Sequence, residues 1–430
     1  MAPVRRRWFV WLACAGLLAQ IAALTLQGTG DVLVWETWAF WTLTRGLFHI
    51  YGSPDLAGFV PIIDDGSLVR ADYPPLTMAL LAVVARVYRF VSPEFAVGST
   101  LLVFVKLPVL IARAATATLL WSALHRVAPL GKRDMTALSC VLAYWLNPAL
   151  VLNGPVLGYL DPIFELPGIA AVLTAATGRP VVAGVFLAAA ALIKLQGLFF
   201  ALPVAALLWS NPVALRRMAG STLVVGTAVC APFLVLGNPL AMALGVGSAV
   251  LQNKLSAQAL NVWWVVTAGA EAGTTGAAWW SRTPAIVRIS DFRHTVGWDP
   301  RLIGLVAIAA VLWFAWRRTA RCRDLPGACA LGALGVHAAF VFGTNIHENY
   351  LVPAIPLAII TAAFWPGHWR VVAALTAVSA ANMLVFQGFG RDWSVPVARL
   401  PGGVDLSVML ACLSVAVFAW HVWYVARVRP

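Results

Sequence analysis

Charged residues are scarce in this sequence. Only 11% of the 430 residues are Asp, Glu, Lys or Arg, whereas 61% are hydrophobic, and the mean hydropathy is +0.84. Soluble globular domains carry about 25% charged residues, so this composition excludes a soluble enzyme. No long hydrophilic block interrupts the apolar segments, which leaves no room for a nucleotide-binding domain. We therefore predict one all-α, polytopic integral membrane domain over residues 1–430.

Metal and disulfide motifs are also missing. The six cysteines are scattered and show neither paired loops nor metal-ligand spacing. The sequence contains no His-x-x-x-His and no Asp-x-Asp. We predict no metal and no other cofactor. The alternative is a divalent cation bound by His347, Glu348 and Asp161.

Basic residues are in excess, with a net charge of +13 from 30 Lys and Arg against 17 Asp and Glu. Such an excess is typical of nucleic-acid binding, but the positions of the charges predict a membrane topology and no nucleic-acid partner. About twelve segments approach the roughly 20 apolar residues of a membrane span. The predicted spans are 8–26, 101–124, 136–152, 162–176, 181–193, 198–209, 218–236, 302–316, 328–342, 350–364, 371–386 and 406–425.

The basic clusters fall at alternate ends of these spans. One side carries Arg126, the group Arg317, Arg318, Arg321 and Arg323, and later Arg427. The positive-inside rule makes this side and both termini cytoplasmic. The first apolar run resembles a signal peptide, but it lacks a clear cleavage site, and we predict a retained helix.

Two further assignments are needed for the basic clusters to fall on one side of the membrane. Segment 76–90 begins after Pro74 and Pro75 and carries Arg86 and Arg89, which favours an interfacial helix that does not cross the membrane. Segment 181–209 is interrupted by Lys194, Gln196 and Gly197, which indicates a broken pair of short helices beside a cavity.

Two long extracytoplasmic loops follow from this topology, at 27–100 and 237–301. In the first, Trp35, Trp38 and Trp41 are spaced by three residues, which predicts an amphipathic interfacial helix with an aromatic face. The outer side is rich in acidic residues and tryptophan.

Five short elements occur in order along the chain. They are Tyr-Pro-Pro-Leu at 73–76, Gly-Tyr-Leu-Asp at 158–161, Lys-Leu-Gln at 194–196, Leu-Ser-Ala-Gln-Ala-Leu-Asn-Val-Trp-Trp at 255–264 and Asn-Ile-His-Glu-Asn-Tyr at 345–350. With an acidic residue just after the first helix, this order resembles the C-type membrane glycosyltransferases that use polyprenyl-phosphate sugars. Among these, the chain is similar to bacterial polyprenyl-phosphate-mannose-dependent mannosyltransferases and to the lumenal glucosyltransferases of N-glycan assembly. It departs from the usual pattern at Tyr159 and Leu195.

The resemblance implies roles for the polar residues of the outer side. Asp31 matches the general base, with Glu36 as a rival. Lys194, Gln196, His347 and Glu348 match positions that bind the donor phosphate or sugar, and Arg391 is a further outer cation. The expected contacts to the acceptor or sugar come from Asp161, Tyr73, Asn261 and Trp263.

Several of these residues also have a purely structural interpretation. Asp31 or Asp161 would serve as a helix cap. Lys194 would extend to the membrane surface. Glu348 would complement the dipole of the next helix. Trp263 and Trp264 would anchor the chain at the interface.

The predicted function is an inverting transfer of a hexose, with mannose favoured, from a polyprenyl-phosphate donor to a lipid-linked or glycan acceptor outside the cytoplasm. Because the leaving group is already a phosphate, one general base is sufficient. The alternatives are a lipid-linked-sugar flippase or secondary transporter, and a polymerase or ligase of surface polysaccharide.

Overall fold

The structure is a computed structural model that describes residues 3–51, 71–127, 133–276, 278–281, 287–319, 324–391, 399–401 and 403–427. The middle of the first outer loop, together with Arg321 and Arg323, lies outside the described residues. The described chain is almost entirely helical. Its helices are α1 (Pro3–Ala23), α2 (Gly30–Thr44), α3 (Pro75–Val91), α4 (Ser99–Val127), α5 (Arg133–Trp145), α6 (Pro148–Val151), α7 (Asp161–Ala176), α8 (Pro180–Ile193), α9 (Ala201–Leu208), α10 (Pro212–Leu236), α11 (Pro239–Leu251), α12 (Val262–Thr275), α13 (Ile289–Val296), α14 (Pro300–Thr319), α15 (Leu325–Phe342), α16 (Ala354–Phe364), α17 (Trp369–Gln387) and α18 (Leu406–Arg427).

Short irregular elements complete the fold. A π-helical turn, Leu152–Val156, follows α6, and 3-10 turns occupy Leu47–His49, Leu195–Phe200 and Pro366–His368. The two-residue strands β1 (Arg399–Leu400) and β2 (Val404–Asp405) pair antiparallel, with Arg399 opposite Asp405.

Six helices among the described residues are long and apolar enough to cross a membrane, namely α4, α10, α14, α15, α18 and the segment Pro366–Gln387 that contains α17. The count becomes seven if α5 and Pro148–Val156 form one bent span. Shorter apolar helices include α1, α8, α9 and α16. Every predicted span overlaps a helix, and the exact number of twelve crossings stays a prediction.

The chain divides into two compact units. Unit 1 comprises Met1–Leu146, Val151–Leu251 and Phe389–Asp392, and unit 2 comprises Asn147–Leu150, Gln252–Gly388 and Trp393–Pro430. The candidate residues are divided between these units, and each group is described within its own unit.

The core of unit 1 contains the aromatic face of α2. Trp35, Trp38 and Trp41 are buried against α3 and α4, in a cluster with Tyr88 and Phe95. Their spacing of three places them on one side of the helix, as predicted. The three indoles are at most 4% exposed, so the aromatic face packs inside the protein. Whether α2 lies at the membrane interface stays a prediction.

The predicted break near Lys194 is confirmed. Helix α8 ends at Ile193, Lys194 is extended (φ −149°, ψ 136°), and a 3-10 turn leads into α9. Gly197 approaches α8 so closely that a Cβ atom would lie 2.3 Å from the Ala190 carbonyl carbon. The hydroxyl of Thr77 donates a hydrogen bond to the Ile193 carbonyl, so α3 satisfies a carbonyl group at the break.

Segment 76–90 forms one continuous helix, α3. Met78, Leu81 and Ala85 are buried on one side, whereas Val83, Val87 and Phe90 are exposed on the other. At 17 residues it falls short of the long apolar helices. Whether it lies along the interface stays a prediction.

Unit 2 is built around α15, whose side chains are nearly all buried and which packs against α14, α16 and α18. The predicted helix at 350–364 begins later, at Ala354, because residues 350–353 form turns. The predicted second outer loop, 237–301, is largely helical. It contains α12 and α13, and its first part forms α11, which belongs to unit 1.

Candidate functional site

A buried ion pair is the central feature of unit 1. The Lys194 Nζ atom lies 2.5 Å from an Asp161 carboxylate oxygen, and the two residues are 4% and 1% exposed. Removing either charge from water is costly unless the partner compensates it. The interpretation that Lys194 extends to the membrane surface was therefore wrong.

The Gly-Tyr-Leu-Asp element positions Asp161. Gly158 has a left-handed backbone (φ +82°), and a Cβ there would lie 2.5 Å from Val32 Cγ2 of α2. The Trp35 indole donates to the Gly158 carbonyl (3.3 Å), and the Thr29 amide donates to the Leu157 carbonyl (3.0 Å). These contacts fix the start of α2 against the start of α7.

Asp31 lies in the first turn of α2 and is half-buried. Thr29 is the N-cap of that helix, so the interpretation of Asp31 as its cap was wrong. Burial raises the pKa of Asp31 above its usual value; the Lys194 charge lowers it and the Asp161 charge raises it. A carboxylate with a raised pKa is a better proton acceptor than an ordinary one.

Asp161 is the first residue of α7, and Leu160 before it occupies the N-cap position. The carboxylate pairs with Lys194, so the sequence correctly singled out both residues without indicating that they pair.

Sequence reasoning did not single out Asp72. This half-buried residue directly precedes the Tyr-Pro-Pro-Leu element. The pKa of Asp72 is raised to about 7: burial and the Asp31 charge raise it, and a backbone hydrogen bond and the Lys194 charge partly offset the rise. Its place beside that element was the available signal. Three carboxyl groups, Asp31, Asp72 and Asp161, thus share the field of Lys194.

Tyr73 and the aromatic cluster form a wall of this site. The Lys194 Nζ atom lies 5.6 Å from the centre of the Tyr73 ring, within cation–π range. The Trp35 and Tyr73 rings meet edge to face, with 4.8 Å between centres. Gln196 is half-buried in the 3-10 turn that follows Lys194.

Glu36 and Arg391 form a second group in unit 1. Glu36 is buried, and its pKa is raised to about 7 because the effect of burial exceeds the opposing effect of the Arg391 charge. Arg391 is exposed, and its backbone amide donates to the Gly28 carbonyl (2.8 Å).

Glu165 was not singled out as a site residue. It lies one turn beyond Asp161 on α7, is fully buried, and interacts electrostatically with Asp161, Lys194 and Arg113. Within the described part of the chain, neither of its carboxylate oxygens has a hydrogen-bond partner.

His347 and Glu348 lie in unit 2. Their side chains approach to 3.9 Å, Glu348 is 2% exposed, and its Oε1 atom accepts a hydrogen bond from Gln387 (3.0 Å). The helix-dipole interpretation of Glu348 was wrong, because α16 begins six residues later, at Ala354. The His347 ring packs on Tyr350, with 5.3 Å between centres.

Asn261 and Trp263 hold the start of α12. The Asn261 side chain caps the helix by accepting from the amides of Trp263 and Trp264. The Trp263 indole donates to the Phe342 carbonyl (2.8 Å), and that of Trp264 donates to Ser407 (3.0 Å). Both tryptophans are buried, so the interpretation as membrane anchors was wrong, whereas their contact with a sugar stays a prediction.

The alternative metal site would combine His347, Glu348 and Asp161. Among the residues that the structure describes, no three His, Cys, Asp or Glu side chains are grouped as a metal site would require. His347 and Glu348 belong to unit 2, whereas Asp161 belongs to unit 1.

Comparison with known proteins shows a similarity in fold. No protein-family model and no curated protein matches the sequence. A solved structure does match, a crystal structure of ArnT from Cupriavidus metallidurans bound to undecaprenyl phosphate. It is 17% identical in sequence, with a TM-score of 0.52, and the match covers 99% of this chain and 77% of that chain. The chain therefore has a fold similar to that of ArnT.

Proposed function

We propose that this protein is an inverting membrane glycosyltransferase that moves a hexose, with mannose favoured, from a polyprenyl-phosphate donor to a lipid-linked or glycan acceptor. The observation that carries the proposal is the buried Lys194–Asp161 pair beside the half-buried Asp31, whose pKa is raised. The site combines a cation with a carboxyl group suited to accept a proton.

The fold supports the choice of donor. ArnT, with a similar fold over nearly the whole of this chain, is bound to undecaprenyl phosphate, which is a polyprenyl phosphate. The ordered sequence elements indicate the same donor class. Lys194 at the break after α8 is the cation that we assign to the donor phosphate.

The proposed step is a single displacement. Asp31 takes the proton of the acceptor hydroxyl as its oxygen attacks the anomeric carbon. The bond from that carbon to the phosphate oxygen breaks, and the polyprenyl phosphate leaves with the bonding electron pair. Lys194 stabilises the charge that develops on the phosphate. The proton leaves Asp31 for solvent after the glycoside departs.

The proposed location is the bacterial inner membrane, with both termini in the cytoplasm and the site outside it. The distribution of Lys and Arg supports this orientation. The donor's lipid would lie in the bilayer. A nucleotide sugar is not needed, because the polyprenyl phosphate already serves as the leaving group.

A flippase or secondary transporter is the second candidate. The observation that favours it is the broken helix at Lys194, because interrupted helices with buried charges also line transport sites. Transfer activity separates the two candidates, since a flippase moves its lipid without forming a glycosidic bond.

The test is transfer by the purified full-length protein in proteoliposomes. The donors are the polyprenyl-phosphate derivatives of mannose, glucose and arabinose, each of known anomeric configuration and radiolabelled in the sugar. The acceptors are lipids extracted from the membrane in which the protein is produced. We expect a labelled product whose anomeric configuration is opposite to that of the donor. Retained configuration would contradict the single displacement. Absence of product from all three donors would favour the flippase.

A further inference from the structure

Lys106 is a buried lysine of unit 1 that was not among the residues selected from the sequence. It lies in α4 and is fully buried. Its Nζ atom donates hydrogen bonds to three backbone carbonyls, those of Ala23 (3.1 Å), Leu26 (2.9 Å) and Val156 (3.0 Å). An ammonium group has exactly this number of N–H donors, so the three carbonyls use all the donors of one protonated lysine.

The end of α1 is a suitable place for this cation. Ala23 is the last residue of α1, where the backbone carbonyls lack helical partners and carry the negative end of the helix dipole. A lysine that donates to these carbonyls both satisfies them and complements the dipole. Lys106 therefore links the end of α1 to the π-helical turn Leu152–Val156.

Both linked segments lead directly to candidate catalytic residues. Leu26 lies five residues before Asp31, and Val156 lies five residues before Asp161. Each of these short connections leaves little freedom between the carbonyl bonded to Lys106 and the carboxylate that follows it. The lysine thus joins the two parts of the chain that carry the site.

The connections pack against each other and against the lysine. The Thr29 amide donates to the Leu157 carbonyl (3.0 Å), which joins the two connections beyond the lysine. A Cβ atom at Gly158 would lie 3.5 Å from Lys106 Cγ, so the stem of the lysine lies against the Gly-Tyr-Leu-Asp turn. The Nζ atom and the stem therefore contact the same turn.

We propose that Lys106 is a positioning residue for the transfer reaction. By holding both segments, it fixes Asp31, the proposed general base, relative to the pair of Lys194 and Asp161. Its donors are all used by backbone carbonyls, so it acts through these segments and not on the substrate. The inference rests on the proposed function, because it names a residue that aligns the base with the cation assigned to the donor phosphate.

Loss of this lysine should slow the chemical step without weakening donor binding. Lys106→Met removes all three hydrogen bonds but leaves Lys194 and Asp161 in place. Because a displacement of about 1 Å between reacting groups can cost about 100-fold in rate, we expect kcat to fall about 10- to 100-fold. The affinity for undecaprenyl phosphate should stay unchanged.

A second variant keeps the test valid if Lys106→Met does not fold. Lys106→Gln retains two N–H donors on a side chain that is one atom shorter, so its kcat should lie between those of wild type and Lys106→Met. The matched control is Leu120→Ala, which removes fully buried apolar atoms roughly 21 Å further along α4. This control should lower the unfolding midpoint but keep the kcat of wild type.

The experiment uses the full-length protein in proteoliposomes, with whichever of the three polyprenyl-phosphate sugars the wild type transfers. It measures kcat at saturating donor, together with binding of undecaprenyl phosphate and the unfolding midpoint in detergent. Amide hydrogen exchange gives a readout independent of activity. The Thr29 amide should exchange faster in Lys106→Met than in wild type, and at the wild-type rate in Leu120→Ala.

Three results would overturn the inference. The first is a kcat within a few-fold of wild type in every folded Lys106 variant. The second is a parallel fall of kcat and lipid affinity, which a merely structural lysine would produce. The third is unchanged exchange of the Thr29 amide. In each case transfer by the wild type would leave the proposed function standing, whereas wild-type protein that transfers none of the sugars would refute both.

Discussion

At the scale of single residues, the account depends on the buried pair of Lys194 and Asp161. A charge pair with so little exposure is weak evidence for stability, because desolvation offsets the attraction. It is stronger evidence for function, since buried ionisable residues in so apolar a protein are costly to keep. Asp31 and Asp72 beside the pair add carboxyl groups with raised pKa values.

Removing one partner of this pair should destabilise the protein. Lys194→Met leaves the Asp161 carboxylate buried without its cation, and we expect the free energy of unfolding to fall by about 3 to 5 kcal/mol. The double variant Lys194→Met, Asp161→Leu should recover most of this stability but remain inactive. Thermal unfolding in detergent measures the first effect, and transfer assays measure the second.

A stable Lys194→Met single variant would contradict the pairing. The double variant contains no uncompensated charge and should be more stable than Lys194→Met. A double variant that is less stable than either single variant would therefore also contradict the pairing.

The sequence predicted individual site residues better than it predicted which residues they contact. Lys194 and Asp161 stood out because charge in apolar surroundings is conspicuous. Asp72 did not, because the charges that act on it, Asp31 and Lys194, come from distant parts of the chain. Asp31 and Asp161 also resembled caps, and only the structure shows that Thr29 occupies the N-cap position of α2 and that Asp161 pairs with Lys194.

At the scale of elements, the break after α8 and the turn before α7 position the site. Each brings a charged residue to the end of a helix, where backbone groups lack helical partners. The sequence located both elements, through Lys-Leu-Gln and Gly-Tyr-Leu-Asp. The burial of the α2 tryptophans was not predicted, because a three-residue spacing fits a lipid-facing and a protein-facing helix equally well.

The turn at Gly158 should not tolerate a side chain. Gly158→Ala combines a left-handed backbone with a contact of 2.5 Å to Val32, and we expect a loss of about 2 to 4 kcal/mol in the free energy of unfolding. Transfer should fall as well, because α2 and α7 would separate. Unfolding midpoints and initial rates provide the measurement.

Gly178→Ala is the matched control. Gly178 is also left-handed (φ +72°), but no atom lies within 4 Å of its Cβ position. Only backbone strain applies, at about 1 kcal/mol, and activity should be retained. Equal effects of the two substitutions would contradict the role given to the contact between α2 and α7.

At the scale of the whole molecule, composition alone predicted a helical membrane protein. Apolar runs gave the positions of the helices, since every predicted span overlaps one. They did not give precise ends, as the start of α16 at Ala354 shows, because turns such as 350–353 can also be apolar. The division into two units was not visible either, since no composition change marks it in the sequence.

The central claim is that Asp31 is the general base. Its most direct test is transfer by Asp31→Asn protein, compared with wild type and with Asp291→Asn, a substitution at an exposed carboxylate of α13. We expect Asp31→Asn to lose about 100-fold or more of the turnover rate, with unchanged binding of undecaprenyl phosphate, and Asp291→Asn to keep wild-type activity. Turnover by Asp31→Asn within a few-fold of wild type would contradict the account.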